Sequence, residues 1–307
     1  MAEQSAPLLD CLVVGAGPAG LTAGLYLRRF HRRVTVVDGG DARALRIPRS
    51  HNVPGFPQGI PGPELLQRLR EQFAQAGGQV TPGRVGRLER LEDGRFVAHL
   101  DGGAPLHART VLLATGARDR EPELPALDAL RRGGLLRQCP ICDGFEFTGR
   151  RIAVIGAGAH GVRECLFIRR YSESLCYIAL GGDEQIEPEL AQSLHEAGVA
   201  CIGRRVRDAR PLPEGGVVLT LDSGRTQHFD VVYAALGCHP RAELGTRLGA
   251  RLDEGGNLVI DGHGRTGIAG LYAAGDVTGG LDQIVVAAGQ AAIAATAIHN
   301  SLRGGRP

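Results

Sequence analysis

Two stretches of this chain repeat one design, and the repeat limits the fold more than any other feature. Residues 11–14 are an apolar run that reads as a short strand. It enters Gly15-Ala16-Gly17-Pro18-Ala19-Gly20, then an amphipathic run over 21–30, then a second strand over 34–37 that ends at Asp38. In mid-chain the order returns: a strand over 152–155, Gly156-Ala157-Gly158-Ala159-His160-Gly161, a helical run over 162–170, and a strand over 175–180. Each is a strand–glycine turn–helix–strand unit of about 30 residues, the size of a dinucleotide-binding βαβ element. The fold class expected is α/β, with two Rossmann-like (three-layer ββα) nucleotide-binding domains. A chain of 307 residues has room for two.

Between and after these units the pattern continues. A helix is expected over 63–76, strands over 96–100 and 111–113, a helix over 189–197, strands over 217–221, 231–236 and 271–274, and a long helix over 283–301. Pro122 and Pro125 mark one hinge, and Pro240 with Arg241 the other. The second unit is therefore expected as an insertion: 122–239 within a first domain made of 1–121 and 240–307.

Composition excludes several functions. The formal charge is +2, which argues against nucleic acid or an anionic membrane as partner. Every basic side chain apart from histidine is arginine, so a lysine Schiff base and a P-loop lysine are excluded. Trp is absent and aromatics are 4%, too few for a base-stacking platform. Residues 1–10 carry no secretory pattern. The most apolar late stretch, 284–298, reads as too short for a bilayer, which needs about 20 residues. Seven scattered cysteines suit a reducing cytosol rather than a disulfide framework.

A glycine turn at a helix start brings backbone N–H groups and the positive helix end against a pyrophosphate. At Gly15–Gly20 the turn follows a strand, and Asp38 stands eighteen residues on, placed to bond both hydroxyls of a ribose. An adenine dinucleotide is expected here. The second loop has the same glycines, but its counterpart of Asp38 is Ala179, followed by Leu180, Gly181 and Gly182. Neither a carboxylate for an NAD ribose nor an arginine cluster for an NADP phosphate is present, and Asp183 and Glu184 would repel that phosphate. An active and an empty nucleotide domain both remain open.

Cys139-Pro140-Ile141-Cys142 is the one close cysteine pair. A closed zinc site needs four ligands, usually as two such pairs, so no metal is expected. A redox disulfide is favoured. A helical turn starting at Cys142 would lower its thiolate pKa, and Arg131, Arg132 and Arg137 add positive charge nearby. Asp143 is placed to move a proton; the plainer reading makes it a turn residue beside Gly144. His51, His160 and His239 each stand alone, and none is assigned a role.

The order Gly15-x-Gly17-x-x-Gly20, Asn52-Val53-Pro54-Gly55, Ala114-Thr115-Gly116, Cys139-Pro140-Ile141-Cys142-Asp143-Gly144, second glycine loop and Gly275-Asp276 resembles the low-molecular-weight thioredoxin reductases over almost the whole chain. The resemblance implies FAD in the first domain, held by Gly15, Gly17, Pro18, Ala19, Gly20, Asp38, Gly39, Asn52, Thr115, Gly116, Gly275, Asp276, Gln283 and Ile284. Asp276 would meet ribityl or phosphate oxygens, and Gln283 would open the last helix beneath the flavin ring. Cys142 would face the flavin, Cys139 would attack a partner disulfide, and Asp143 would be the acid–base group. The implied partner is a thioredoxin-like protein or a small disulfide or dithiol, and the implied assembly a homodimer. Two departures bear on the electron donor. The histidine–arginine–arginine run expected for NADPH is missing, and Cys-Pro-Ile-Cys replaces Cys-Ala-Thr-Cys. Related flavoproteins without NADPH use ferredoxin, or oxidise small dithiols with oxygen; some carry a C-terminal aromatic tail, and residues 303–307 here hold no aromatic. Three readings follow: a disulfide reductase, an oxygen-dependent dithiol oxidase, and a flavin-binding redox sensor.

Overall fold

The computed structural model describes residues 8–124, 126–180, 186–203 and 205–304. Pro125, Gly181, Gly182, Asp183 and Glu184, all used in the sequence reading, lie outside the described residues. The chain divides into two compact units, with boundaries at Ile47/Pro48, Gly59/Ile60, Arg118/Asp119 and Cys238/His239. The segment Pro48–Gly59, which carries Asn52, belongs to the second unit.

The first unit opens with β1 (Leu9–Val14), α1 (Pro18–Arg29) and β2 (Val34–Asp38). β1 and β2 run parallel, with Val13 opposite Val36. Gly20 lies where a Cβ would fall 1.8 Å from the Gly15 carbonyl oxygen, so the turn between β1 and α1 closes only on glycine. After α2 (Gly62–Gln75), β3 (Val80–Pro82) adds to β2. A meander of β4 (Val85–Arg90), β5 (Phe96–Leu100) and β6 (Leu106–Leu113) follows. The first half of β6 pairs antiparallel with β5, and its second half runs parallel to β1. One strand thus serves two layers. The chain leaves through β7 (Ala117–Asp119).

The second unit repeats the plan. It contains α3 (Leu127–Arg132), β8 (Leu136–Arg137), α4 (Pro140–Asp143), a 3-10 turn over Gly144–Phe147, β9 (Ile152–Gly156), α5 (Gly158–Ile168) and β10 (Leu175–Ala179). Then come α6 (Pro188–Glu196), β11 (Ala200–Ile202), the meander β12 (Val206–Pro211), β13 (Val217–Leu221) and β14 (Thr226–Phe229), and β15 (Val231–Ala235). The parallel sheet has the order β11-β10-β9-β15-β8. β9, β10 and β15 are buried along their whole length, as strands covered on both faces must be.

The chain returns through β16 (Cys238–Pro240) and α7 (Glu243–Arg247) to β17 (Leu271–Ala273), which lies parallel to β6, and ends in α8 (Ile284–Arg303). The first unit's parallel order is therefore β3-β2-β1-β6-β17. One correction concerns α8. Its apolar stretch, taken as 284–298, is expected to be too short for a bilayer. The helix has 20 residues, long and apolar enough to cross one by length and composition alone. Its face of Ala287, Ala291, Ala294, Ala295 and Ile298 is nonetheless buried in the first unit's core with Leu21, Leu27 and Leu66, as in a core helix of a globular domain.

Candidate functional site: a dinucleotide cleft and a buried acid beside a disulfide

In an open α/β sheet, ligands bind beyond the carboxyl ends of the strands where the strand order reverses. In the first unit that point lies between β1 and β6. A cavity of about 670 Å3 opens there, lined by the ends of three strands: Val14 and Gly15, Val37 and Gly39, and Thr115. Arginines 46, 84, 118, 241 and 247 also line it, which suits an anion. Asp41 holds two of them, accepting from Arg84 at 3.0 Å and lying 3.1 Å from Arg241. Partial burial pulls the Asp41 carboxyl upward, but these two guanidiniums outweigh it and hold the group below its ordinary range.

The glycine turn suits a dinucleotide. A Cβ on Gly15 would strike the Ala114 carbonyl at 2.2 Å, whereas one on Gly17 would meet nothing within 4 Å. The side of Gly17 is thus open to a close-fitting group at the start of α1. Asp38 is fixed by two bonds: Oδ1 accepts from the Gly40 N–H at 2.9 Å, and Oδ2 from Arg70 at 2.7 Å. A carboxylate has acceptor sites beyond these two. Thr115 lines the cavity with its hydroxyl already donating to the Arg241 carbonyl at 2.7 Å.

The Gly275-Asp276 turn is pinned from α8. The Gly275 N–H donates to Gln290 Oε1 at 2.8 Å, and the Thr278 hydroxyl donates to the Gly275 carbonyl at 2.9 Å. Asp276 accepts from Arg43, which also reaches Asp282, each at 2.9 Å. Gln283 is the N-cap of α8 and Ile284 its first residue. Asn52, expected with these residues, is in the second unit, where its amide donates to the Ile141 carbonyl at 3.3 Å. Arg43, Arg70, Arg84 and Gln290 are not legible as site residues in the sequence. Each comes from a remote position, and surface arginines are common in this chain.

In the second unit, Cys139 and Cys142 form a disulfide with their Cα atoms 5.3 Å apart. The helix at the pair differs from the one expected. It starts at Pro140 with Cys139 as N-cap, and it is a single turn ending at Asp143. Cys142 lies inside that turn, so a long helix dipole does not act on it. Of the three arginines expected nearby, Arg131 pairs with Glu121 and Asp128. Arg137 reaches the site, 3.2 Å from Asp143 Oδ2. Asp143 is buried, and its Oδ1 accepts a 2.6 Å bond from the Tyr233 hydroxyl. Burial pushes the Asp143 carboxyl above its ordinary range, against the pull of Tyr233 and Arg137. A carboxyl raised in this way keeps its proton to higher pH than an ordinary one, which suits it to proton exchange. Ile141 and Phe145, on either side of Cys142, are exposed.

The second glycine loop is well formed. Gly158 has φ +55° with open space at its Cβ, and a Cβ on Gly156 or Gly161 would strike the Tyr177 hydroxyl at 2.9 Å. Beyond it, Ala179 is buried and Leu180 exposed. His160 pairs with Glu164 at 3.2 Å, and His51 lies 3.8 Å from Glu146.

Residues 9–291 match the family described as pyridine nucleotide-disulphide oxidoreductase. The chain belongs to that family. Among relatives of this oxidoreductase is an alkyl hydroperoxide reductase component of Pseudomonas putida, 32% identical over 309 residues, covering 95% of this chain and 58% of that protein. The chain therefore spans little more than half of that relative's length. Thioredoxin reductase of Listeria monocytogenes is 28% identical over 301 residues, covering 94% and 92%. Among solved structures, that of HlmI has a TM-score of 0.89 at 29% identity, covering 97% of this chain and 93% of its own. Thioredoxin reductase from Streptococcus pyogenes has a TM-score of 0.87 at 26% identity, covering 97% and 99%. The chain is a thioredoxin reductase-like flavoprotein disulfide oxidoreductase with two Rossmann-type domains, and family membership implies FAD.

Proposed function

We propose that this oxidoreductase exchanges two electrons between FAD, the Cys139–Cys142 disulfide and an external disulfide or dithiol. The observation that carries this reading is a buried, hydrogen-bonded carboxyl, Asp143, built directly onto a formed Cys-x-x-Cys disulfide. Bound FAD supplies a two-electron carrier. The open side of Gly17, the cavity arginines and Asp38 would hold its pyrophosphate and ribose. Asp276 and the start of α8 at Gln283 and Ile284 would hold the rest. In the dithiol state, the Cys139 thiolate attacks one sulfur of the partner disulfide and expels the other as a thiol. Cys142 then loses its proton and attacks Cys139, which releases the second thiol and restores the disulfide. Asp143 gives its proton to the first leaving sulfur, then takes the Cys142 proton and delivers it to the second. Exposed Ile141 and Phe145 give the pair an apolar border, suited to a thioredoxin-like protein or a small apolar disulfide. Work in the cytosol, as a homodimer, completes the reading.

Donor and direction divide the reading. A buried Ala179 and an apolar Leu180 at the nucleotide-reading position favour a donor other than NADPH, such as ferredoxin. They equally favour the reverse reaction, oxidation of a small dithiol by oxygen. Anaerobic addition of NADPH and NADH to the yellow protein is the test. Slow or absent bleaching with both, and bleaching by a dithiol, is expected; rapid bleaching by NADPH overturns the donor assignment. Oxygen uptake with the dithiol then separates oxidase from reductase. Cys142→Ser is expected to retain FAD absorbance and lose at least about 99% of disulfide turnover, on the order of the loss of a covalent nucleophile. Undiminished turnover refutes the cysteine assignment.

A further inference from the structure

The acid beside the disulfide is held by more than its own loop. Tyr233 lies mid-strand in β15, fully buried, and its hydroxyl donates to Asp143 Oδ1 at 2.6 Å. Arg137 in β8 reaches the other oxygen, Oδ2, at 3.2 Å. Tyr233 and Arg137 are not independent arrivals. They are direct partners in the parallel β15/β8 register, so their side chains stand on the same face of the sheet. Phe147 locks the pair. Its ring meets Tyr233 edge-on, with centroids 6.3 Å apart, and the Arg137 guanidinium lies 5.3 Å over it. A buried tyrosine hydroxyl costs free energy unless it is bonded. Packing alone would be served by phenylalanine, so the hydroxyl's place is explained by the carboxylate it meets.

We propose that Tyr233 is a positioning residue for Asp143, its hydroxyl fixing the carboxylate's orientation for proton transfer at the Cys139–Cys142 pair. The proposal rests on that pair being the redox centre, as argued above. A donor bonded to a carboxylate favours its ionised form. The other groups facing Asp143 are Arg137 from β8, Glu146 from the 3-10 turn and His51 from the 48–59 segment. Removing the hydroxyl leaves these in place and leaves burial unopposed by the phenol.

The step is defined without any nucleotide. With dithiothreitol, a reagent thiolate attacks the disulfide, one cysteine leaves and receives a proton, and the second reagent thiol completes the exchange. One dithiol is oxidised and one disulfide is reduced to two thiols. Asp143 acts as the acid for the departing sulfur, so the rate falls as Asp143 loses its proton.

The test follows this reduction in the full chain with FAD bound, by quenching with an alkylating reagent and weighing the protein, upward from about pH 4, where an ordinary carboxyl titrates, to about pH 9. Dividing every rate, wild type included, by the rate at which the same reagent reduces a small model disulfide at the same pH cancels the ionisation of the reagent. Tyr233→Phe keeps the ring and its contact with Phe147. Its plateau rate is expected to fall, and the inflection belonging to Asp143 is expected to move up by about one pH unit. Asp143→Asn is expected to lose that inflection altogether. Loss in Asp143→Asn with no movement in Tyr233→Phe overturns the positioning role and leaves the proposed function standing. An inflection that survives Asp143→Asn overturns both the positioning role and Asp143 as the acid. Reduction in neither variant nor wild type, with Cys139 and Cys142 still joined, would refute the redox pair itself and the positioning role with it.

Discussion

Burial sorts the cysteines of this chain by reactivity. Desolvation holds the thiols of Cys11 and Cys176 up at about 12, and pushes Cys165 up in the same way. A thiol that does not ionise is neither nucleophile nor leaving group. Native protein treated with iodoacetamide is therefore expected to modify exposed Cys201 first and to spare Cys11, Cys165 and Cys176. Prior reduction should add Cys139 and Cys142, as read by mass spectrometry. Early labelling of Cys165 would contradict its burial. Asp143 yields a second expectation. Its folded pKa lies above the unfolded value, chiefly through burial, so its contribution favours the fold below about pH 4 and is lost as pH rises through the folded value. The melting temperature of wild type minus that of Asp143→Asn should therefore decrease as pH is raised from about 4 to about 8; a constant difference would show that the carboxyl is not penalised. Cys139, Cys142 and Asp143 are legible in sequence because they are near neighbours. Tyr233 is not, because it stands 90 positions away and meets Asp143 only through the β15/β8 register.

At the scale of elements, the two glycine turns were legible to within a few residues, and the errors share one cause. α1 starts at Pro18 rather than 21, α4 at Pro140 rather than Cys142, and α5 at Gly158 rather than 162. Apolar periodicity detects the buried middle of a helix. It passes over a first turn made of proline, glycine or alanine, although proline suits the first helical position because its missing N–H has no partner there in any case. The start of α1 also separates two glycines by role. Gly20→Ala drives a Cβ into the Gly15 carbonyl, and a loss on the order of 3 kcal/mol is expected, with flavin lost as the turn opens. Gly17→Ala meets no protein atom, so its stability cost should be about 1 kcal/mol or less. Its flavin occupancy, read from the visible-to-ultraviolet absorbance ratio, should nevertheless fall. Full occupancy in Gly17→Ala would mean that this turn does not hold the pyrophosphate.

The whole molecule is two copies of one plan, and each copy carries its own core. In the first, Leu112 of β6 is fully buried with Val13, Val36 and the alanine face of α8. In the second, Ile155 of β9 is buried with Ile178 of β10 and Ala234 of β15. The repeat itself was legible because glycines and buried strands recur in the same order. The meanders β4–β6 and β12–β14 were only partly so, because their half-exposed strands mix polar and apolar residues. Separate cores predict separable failures. Leu112→Ala and Ile155→Ala should each cost about 2–5 kcal/mol in the unit that carries them. Leu112→Ala should release flavin at a lower temperature, seen as an earlier rise in flavin fluorescence on heating. Ile155→Ala should leave that rise near its wild-type temperature while cleavage by a protease within residues 119–238 begins earlier. The reason is physical: the dinucleotide cavity is built on β1, β2 and β6, whose packing Ile155 does not share. Equal lowering of flavin release by both substitutions would instead mean that the two cores unfold as one cooperative body.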